Sequence, residues 1–128
     1  MATPALDKHS IGIEICNFGP VTPIRDGNFK NYVGGIMKAE EVTDLGTQYR
    51  GYQYWHSYTD AQIASVKELL LYLCDKYNIT KEYKGQNMWG LSSRALSGEN
   101  GIWSHVSCRA DKTDVYPHPK LIEMLKTL

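Results

Sequence analysis

Apolar and polar positions along the chain change period from segment to segment. Ile11, Ile13 and Ile15 alternate with Gly12 and Glu14, a two-residue period that predicts a strand over Ile11–Asn17. From residue 18 to 50, Gly19-Pro20, Pro23, Asp26-Gly27-Asn28, Gly34-Gly35 and Gly46 interrupt short apolar pieces around Phe29, Tyr32, Val33, Ile36 and Met37. That punctuation predicts a meander of small hairpins, with Asp26-Gly27 as a hairpin turn. The period then becomes helical. Ile63, Val66, Leu70, Leu73 and Tyr77 share one stripe, with Lys67, Glu68, Asp75 and Lys76 opposite. Thr59 and Gln62 have capping-box spacing, and Asp60 suits the positive end of the helix dipole. Residues 78 to 100 read as a loop broken by Gly85, Gly90, Ser92-Ser93 and Ser97-Gly98. Gly101-Ile102-Trp103 reads as a short strand with His105 at its end. Leu121, Ile122, Met124, Leu125 and Leu128 predict a terminal helix, with Pro119 in its first turn. The order of elements argues for an α/β fold: a mixed β-sheet with helices packed on it.

Composition narrows this picture. A chain of 128 residues forms one domain, 1–128, with an irregular lead-in over residues 1 to 9, where Pro4 discourages helix. Lys plus Arg and Asp plus Glu are 14 each, so no basic footprint points to nucleic acid. The longest apolar run, Leu69 to Cys74, is too short to span a membrane. The first residues have neither a basic start nor an apolar signal core, which predicts a soluble protein that is cytoplasmic as synthesised. Cys16, Cys74 and Cys108 are an odd set without framework spacing and read as reduced thiols.

Candidate chemistry sits near the C-terminal end. His105 is followed by Lys112 and Asp114, a spacing that suits a zinc site with His105 and Asp114 as ligands. Lys112 would then stabilise the oxyanion formed when water attacks a carbonyl. The other reading is a strand-capping histidine followed by a solvated turn. Glu14, flanked by isoleucines, is a candidate for proton transfer if partly desolvated; the alternative is a carboxylate on the solvent face of an edge strand. The run Tyr49-Arg50-Gly51-Tyr52-Gln53-Tyr54-Trp55-His56-Ser57-Tyr58 supplies rings that either line a groove or pack the rim of a core. Tyr52, Trp55, Trp103 and Arg109 are the candidate substrate-binding residues.

Three of these stretches occur in a recognisable order: Ser10-Ile11-Gly12-Ile13-Glu14-Ile15, then Tyr58-Thr59-Asp60-Ala61-Gln62 opening a helix, then His105 with Lys112-Thr113-Asp114. Together they resemble the zinc-dependent N-acetylmuramoyl-L-alanine amidases. These are type 2 amidases of bacterial and phage cell-wall lysis, related in fold to peptidoglycan recognition proteins. The resemblance implies a zinc cofactor held by His105 and Asp114, Glu14 helping to activate water, and Lys112 stabilising a tetrahedral oxyanion. It implies hydrolysis of the amide joining N-acetylmuramic acid to the first L-alanine of the stem peptide, with peptidoglycan or a muropeptide as partner, and action on the cell wall if the chain is an endolysin.

The chain departs from the family pattern in two places. Val115-Tyr116-Pro117-His118-Pro119 follows Asp114 where the family continues Pro-Gly, and the upstream strand carrying the first zinc histidine has no counterpart. The resemblance thus implies an N-terminally shortened domain. His9 does not match the missing ligand, whereas His56, His118 and Cys108 are chemically able to replace it. A sheet edge bared by the shortening predicts a homo-oligomer or a completing chain. The other functional reading is a non-catalytic protein that holds a muropeptide or another small anion on a degenerate amidase fold.

Overall fold

The computed structural model describes residues 9–128, so the lead-in lies outside the described residues except for His9. The chain divides into two compact units: Ile15–Thr59, and Asp60–Leu128 together with the described residues up to Glu14. Helices and strands are both present, and the α/β class expected from the sequence holds.

The Ile15–Thr59 unit is the meander. β1 (Thr22–Pro23), β2 (Phe29–Lys30) and β3 (Ile36–Met37) form an antiparallel three-stranded sheet. The expected Asp26-Gly27 turn joins β1 to β2: Asp26 (φ 62°) and Gly27 (φ 71°) both take the left-handed conformation that a tight hairpin demands. Between β2 and β3, the buried Asn31 side chain accepts from the Val33 and Gly35 amides at 3.1 and 2.9 Å, replacing the water that those groups lose. β4 (Val42–Tyr49) and β5 (Tyr52–His56) form a second antiparallel pair, joined by the positive-φ residues Arg50 and Gly51. Residues 19 to 21 extend along the other side of β5, with His56 N donating to Gly19 O at 2.9 Å and Val21 N to Tyr54 O at 3.0 Å. Trp55 lies at the centre, 1% exposed, with the Tyr49 and Tyr52 rings against it.

No strand forms over Ile11–Asn17, which corrects the sequence expectation. Alternation makes a strand only where a neighbour takes its backbone hydrogen bonds and covers its apolar side. Here Ile11 and Ile13 are exposed, and Asn17 is anchored to the β5 end by its amide, which donates to His56 O at 3.0 Å. Gly101-Ile102-Trp103 is likewise not a strand.

The other unit is helical. α1 (Asp60–Tyr77) opens where Asp60 was expected to start it. Leu70 of the expected stripe is buried, while Ile63, Val66 and Leu73 are half-buried. Cys74, one turn beyond Leu70, completes the buried face, whereas Tyr77 at the helix end is exposed. Two single-turn helices follow, α2 (Ser93–Leu96) and α3 (His105–Cys108), and then α4 (Pro119–Lys126). Leu121, Met124 and Leu125 bury the inner face of α4, which packs against α1, and Lys120 Nζ meets Asp60 Oδ1 at 2.8 Å. Among the described residues no helix is long and apolar enough to cross a membrane.

α4 starts on a histidine cap. His118 Nδ1 accepts from Lys120 N at 3.1 Å, so the neutral ring with its proton on Nε2 is the form that caps. Burial, reinforced by the Lys120 ammonium and opposed by Asp60, pushes the His118 imidazole below its ordinary value of 6.5. The unfolded chain therefore binds a proton that the folded chain resists. This stability is complete above pH 6.5 and is lost as pH falls through that value toward the folded pKa. His118→Asn keeps a capping acceptor without titrating. Urea midpoints measured from pH 7.5 to 5 should fall less steeply in this variant than in the wild type, with a difference of about 1 kcal/mol at the acid end. Parallel profiles would refute the cap's role.

Candidate active site

His105 does not end a strand; it is the first residue of α3. Ser104 is the N-cap, in extended conformation, and the reciprocal Ser104–Ser107 capping box closes the turn. The chain returns nine residues later with Asp114, and His105 Nδ1 lies 3.3 Å from both Oδ1 and Oδ2 of that carboxylate. Both side chains are open to solvent, at 40% and 63% exposure, so a substrate can reach them.

The pair has the dimensions of two zinc ligands. With zinc–nitrogen and zinc–oxygen bonds of about 2.0–2.1 Å, neighbouring ligands of a tetrahedron stand about 3.3–3.4 Å apart. An imidazole nitrogen and a carboxylate oxygen at 3.3 Å match that edge and the donor chemistry. Among the described residues, no group of three or more His, Cys, Asp and Glu gathers around a common point. Two of the three alternative ligands are engaged elsewhere: His118 Nδ1 caps α4, and His56 Nδ1 accepts from Phe18 N at 3.0 Å. Burial pushes the Cys108 thiol up, away from the thiolate that binds metal.

The remaining candidates are placed as follows. Lys112 is half-buried beside the 105–114 segment, and no hydrogen bond or ion pair engages its ammonium among the described residues. Glu14 is exposed and outside any strand, so the isoleucine-lined desolvation expected for it is absent. Arg109 is committed to Asp111 by two bonds of 2.9 and 2.6 Å, which also hold the Asp111 carboxyl below its usual range. The pairing occupies the guanidinium fork with an exposed carboxylate. Trp55 gives both ring faces to the core and donates its indole N–H to Tyr52 O at 2.9 Å, so it offers no stacking surface. Tyr52, 45% exposed, retains an accessible face.

Trp103 belongs to a charged cluster in which the sequence had shown only loop residues. Its indole N–H donates to Glu99 O at 2.8 Å, and the Lys84 and Arg94 cations lie 5.4 and 5.9 Å from its ring centroid. The Glu99 carboxylate accepts from Arg94 Nε and Nη2, at 2.9 and 2.6 Å, and from Lys84 Nζ at 3.1 Å. The Arg94 bonds foremost, then Lys84, bring Glu99 down to about 2. Lys84 is buried, which a lysine tolerates only when paired. Gly101, at φ 154°, lets it pass: a Cβ there would collide with Lys84 Cε. Gly101→Ala should cost about 1–3 kcal/mol from overpacking and backbone strain. A change in the urea midpoint below a tenth of that size would show that Lys84 is free to move aside.

The N-acetylmuramoyl-L-alanine amidase family model matches residues 4–119, nearly the whole chain and every residue of the His105–Asp114 constellation. The chain belongs to the N-acetylmuramoyl-L-alanine amidase family. No curated protein and no solved structure matches it. The sequence reading did not anticipate Ser104 and Ser107, the two buried hydroxyls on either side of His105. Their signal was Ser-x-x-Ser at residues 104–107, an N-cap spacing hidden by reading Ile102-Trp103 as extended.

Proposed function

We propose that this amidase-family chain hydrolyses the amide between N-acetylmuramic acid and the L-alanine of the stem peptide, with His105 and Asp114 as zinc ligands. The reading rests above all on one observation, the 3.3 Å approach of His105 Nδ1 to both Asp114 oxygens within a chain of this family. Zinc, when bound, would supply Lewis acidity toward the carbonyl and a water of lowered pKa. The Lys112 ammonium, with no partner among the described residues, is available to the oxyanion that develops as the carbonyl carbon becomes tetrahedral. Glu14 takes the proton from the attacking water and delivers it to the departing alanine nitrogen. The products are the muramic lactyl carboxylate and a peptide with a free alanine amine.

Purified peptidoglycan incubated with the zinc-supplemented chain should yield stem peptides beginning with alanine, detected by amine labelling and mass spectrometry. Lys112→Met should lower this rate by about 100–1,000-fold, as loss of an oxyanion donor does. Intact peptidoglycan after prolonged incubation would reject hydrolysis.

One observation favours a second reading, in which the chain holds a muropeptide without cleaving it: no third ligand joins the pair among the described residues. A two-ligand zinc site is weak. Equilibrium binding of a muramoyl peptide with no product formed would support this reading.

A further inference from the structure

α3 is a four-residue helix, too short to persist by its own backbone hydrogen bonds. Arg109 N donates to His105 O at 3.0 Å and Ser107 N to Ser104 O at 3.1 Å, and a single turn can close few such bonds. Its rigidity has to come from outside, and the source is a buried polar clamp. Ser104 Oγ donates to Met88 O, and Ser107 Oγ donates to the same carbonyl at 3.1 Å. Ser107 Oγ also accepts from Ser104 N at 3.2 Å. Ser107 O accepts from Ser92 N at 3.0 Å, which ties α3 to the residue that opens α2. Val106 and Ser107 are fully buried, and no buried side-chain polar atom among the described residues lacks a partner.

The clamp brackets His105. One hydroxyl precedes it, another follows two residues later, and both converge on one acceptor whose two lone pairs they fill. Burial excludes the water that would otherwise compete for that carbonyl. His105 itself is 40% exposed, and its one polar side-chain approach among the described residues, to Asp114, is too long to fix a ring strongly. Its placement is therefore set by the backbone of its turn.

We propose that Ser104 and Ser107 are positioning residues for His105: they suspend its turn from the Met88 carbonyl and so hold the imidazole at ligand distance from Asp114. This rests on the zinc reading above only for its functional consequence; the positioning itself is a property of the metal-free chain. Outer hydrogen bonds that orient a ligand are worth about 10–100-fold in metal affinity. A preset His105–Asp114 edge gives that gain by removing the entropy of assembling it.

The test compares Ser104→Ala and Ser107→Ala with Ser92→Ala, which removes another buried hydroxyl, bonded to Asn87 Oδ1 at 3.0 Å, outside the His105 turn. Zinc dissociation constants are measured by competition with a chromophoric chelator, and folding is checked by circular dichroism. Ser104→Ala and Ser107→Ala should each weaken zinc by about 10–100-fold, while Ser92→Ala, though destabilised to a similar degree, should stay near wild type. Equal weakening in all three would reduce the clamp to general stability and overturn the proposal. The second readout uses the metal-free protein: NMR relaxation of the His105 ring, ordered in wild type and Ser92→Ala and mobile in Ser107→Ala. If wild type binds no zinc but Ser107→Ala frees the ring, the zinc reading fails and the positioning stands. An equally ordered ring in Ser107→Ala overturns the positioning.

Discussion

His105→Ala is expected to lower amide hydrolysis by more than about 100-fold, because on the proposed zinc reading it removes a ligand itself rather than one of the outer partners, whose loss already costs about 10–100-fold in metal affinity or activity. Asp114→Ala should cost about as much. The two side chains share one 3.3 Å edge, so neither holds the site without the other. Groups that act as a unit are strongly non-additive, and the double variant should be scarcely slower than either single one. Rates of alanine-amine release at fixed, excess zinc decide this. Single losses that multiply in the double variant would mean that His105 and Asp114 act separately, as a base and a charge rather than as joint ligands. The same variants should leave the urea midpoint nearly unchanged, since both side chains are largely exposed and the fold places little reliance on them.

The largest effect on stability is expected at Trp55. Trp55→Ala should destabilise the chain by about 3–5 kcal/mol, the cost of removing a large ring from a packed interior. In the Ile15–Thr59 unit that ring is 1% exposed and touches Tyr49 and Tyr52. Domains have only about 5–15 kcal/mol in hand, so the variant should show a much lower urea midpoint and loss of near-ultraviolet circular dichroism. Trp55→Phe keeps most of the apolar contact but loses the indole bond to Tyr52 O, and should fall between the two. A midpoint for Trp55→Ala within a few tenths of a kcal/mol of wild type would show that the β4–β5 pair stands without its buried ring.

These two sites differ in how far the sequence revealed them. The α1 and α4 helices were legible because helical period is local: Leu70 lies on the predicted stripe, and Leu121, Met124 and Leu125 follow the spacing read for the terminal helix. The Asp26-Gly27 turn was legible for the same reason, since left-handed backbone is a property of the residues themselves. Ile11–Asn17 misled because alternation describes what a strand would do if it had a neighbour, and among the described residues no strand pairs with it. The setting of His105 was misread. The capping hydroxyls of Ser104 and Ser107 outweighed the strand propensity of Ile102 and Trp103. Arg109 and Trp55 show the limit of residue type as a guide. One is consumed by an aspartate two positions away and the other by the core, and neither partner can be read from the side chain alone. Lys84 was passed over because a lysine in a loop gives no sign of burial until Glu99 and Gly101 are placed around it.

The central claim is that His105 and Asp114 are two ligands of one zinc ion, and elemental analysis tests it most directly. The purified chain is equilibrated in buffer of fixed free zinc, and its bound zinc is measured beside that of Asp114→Ala after rapid separation from free metal. About one zinc per wild-type chain, lost in the variant, is the predicted result. Zinc absent from the wild type, or retained undiminished in Asp114→Ala, would contradict the account.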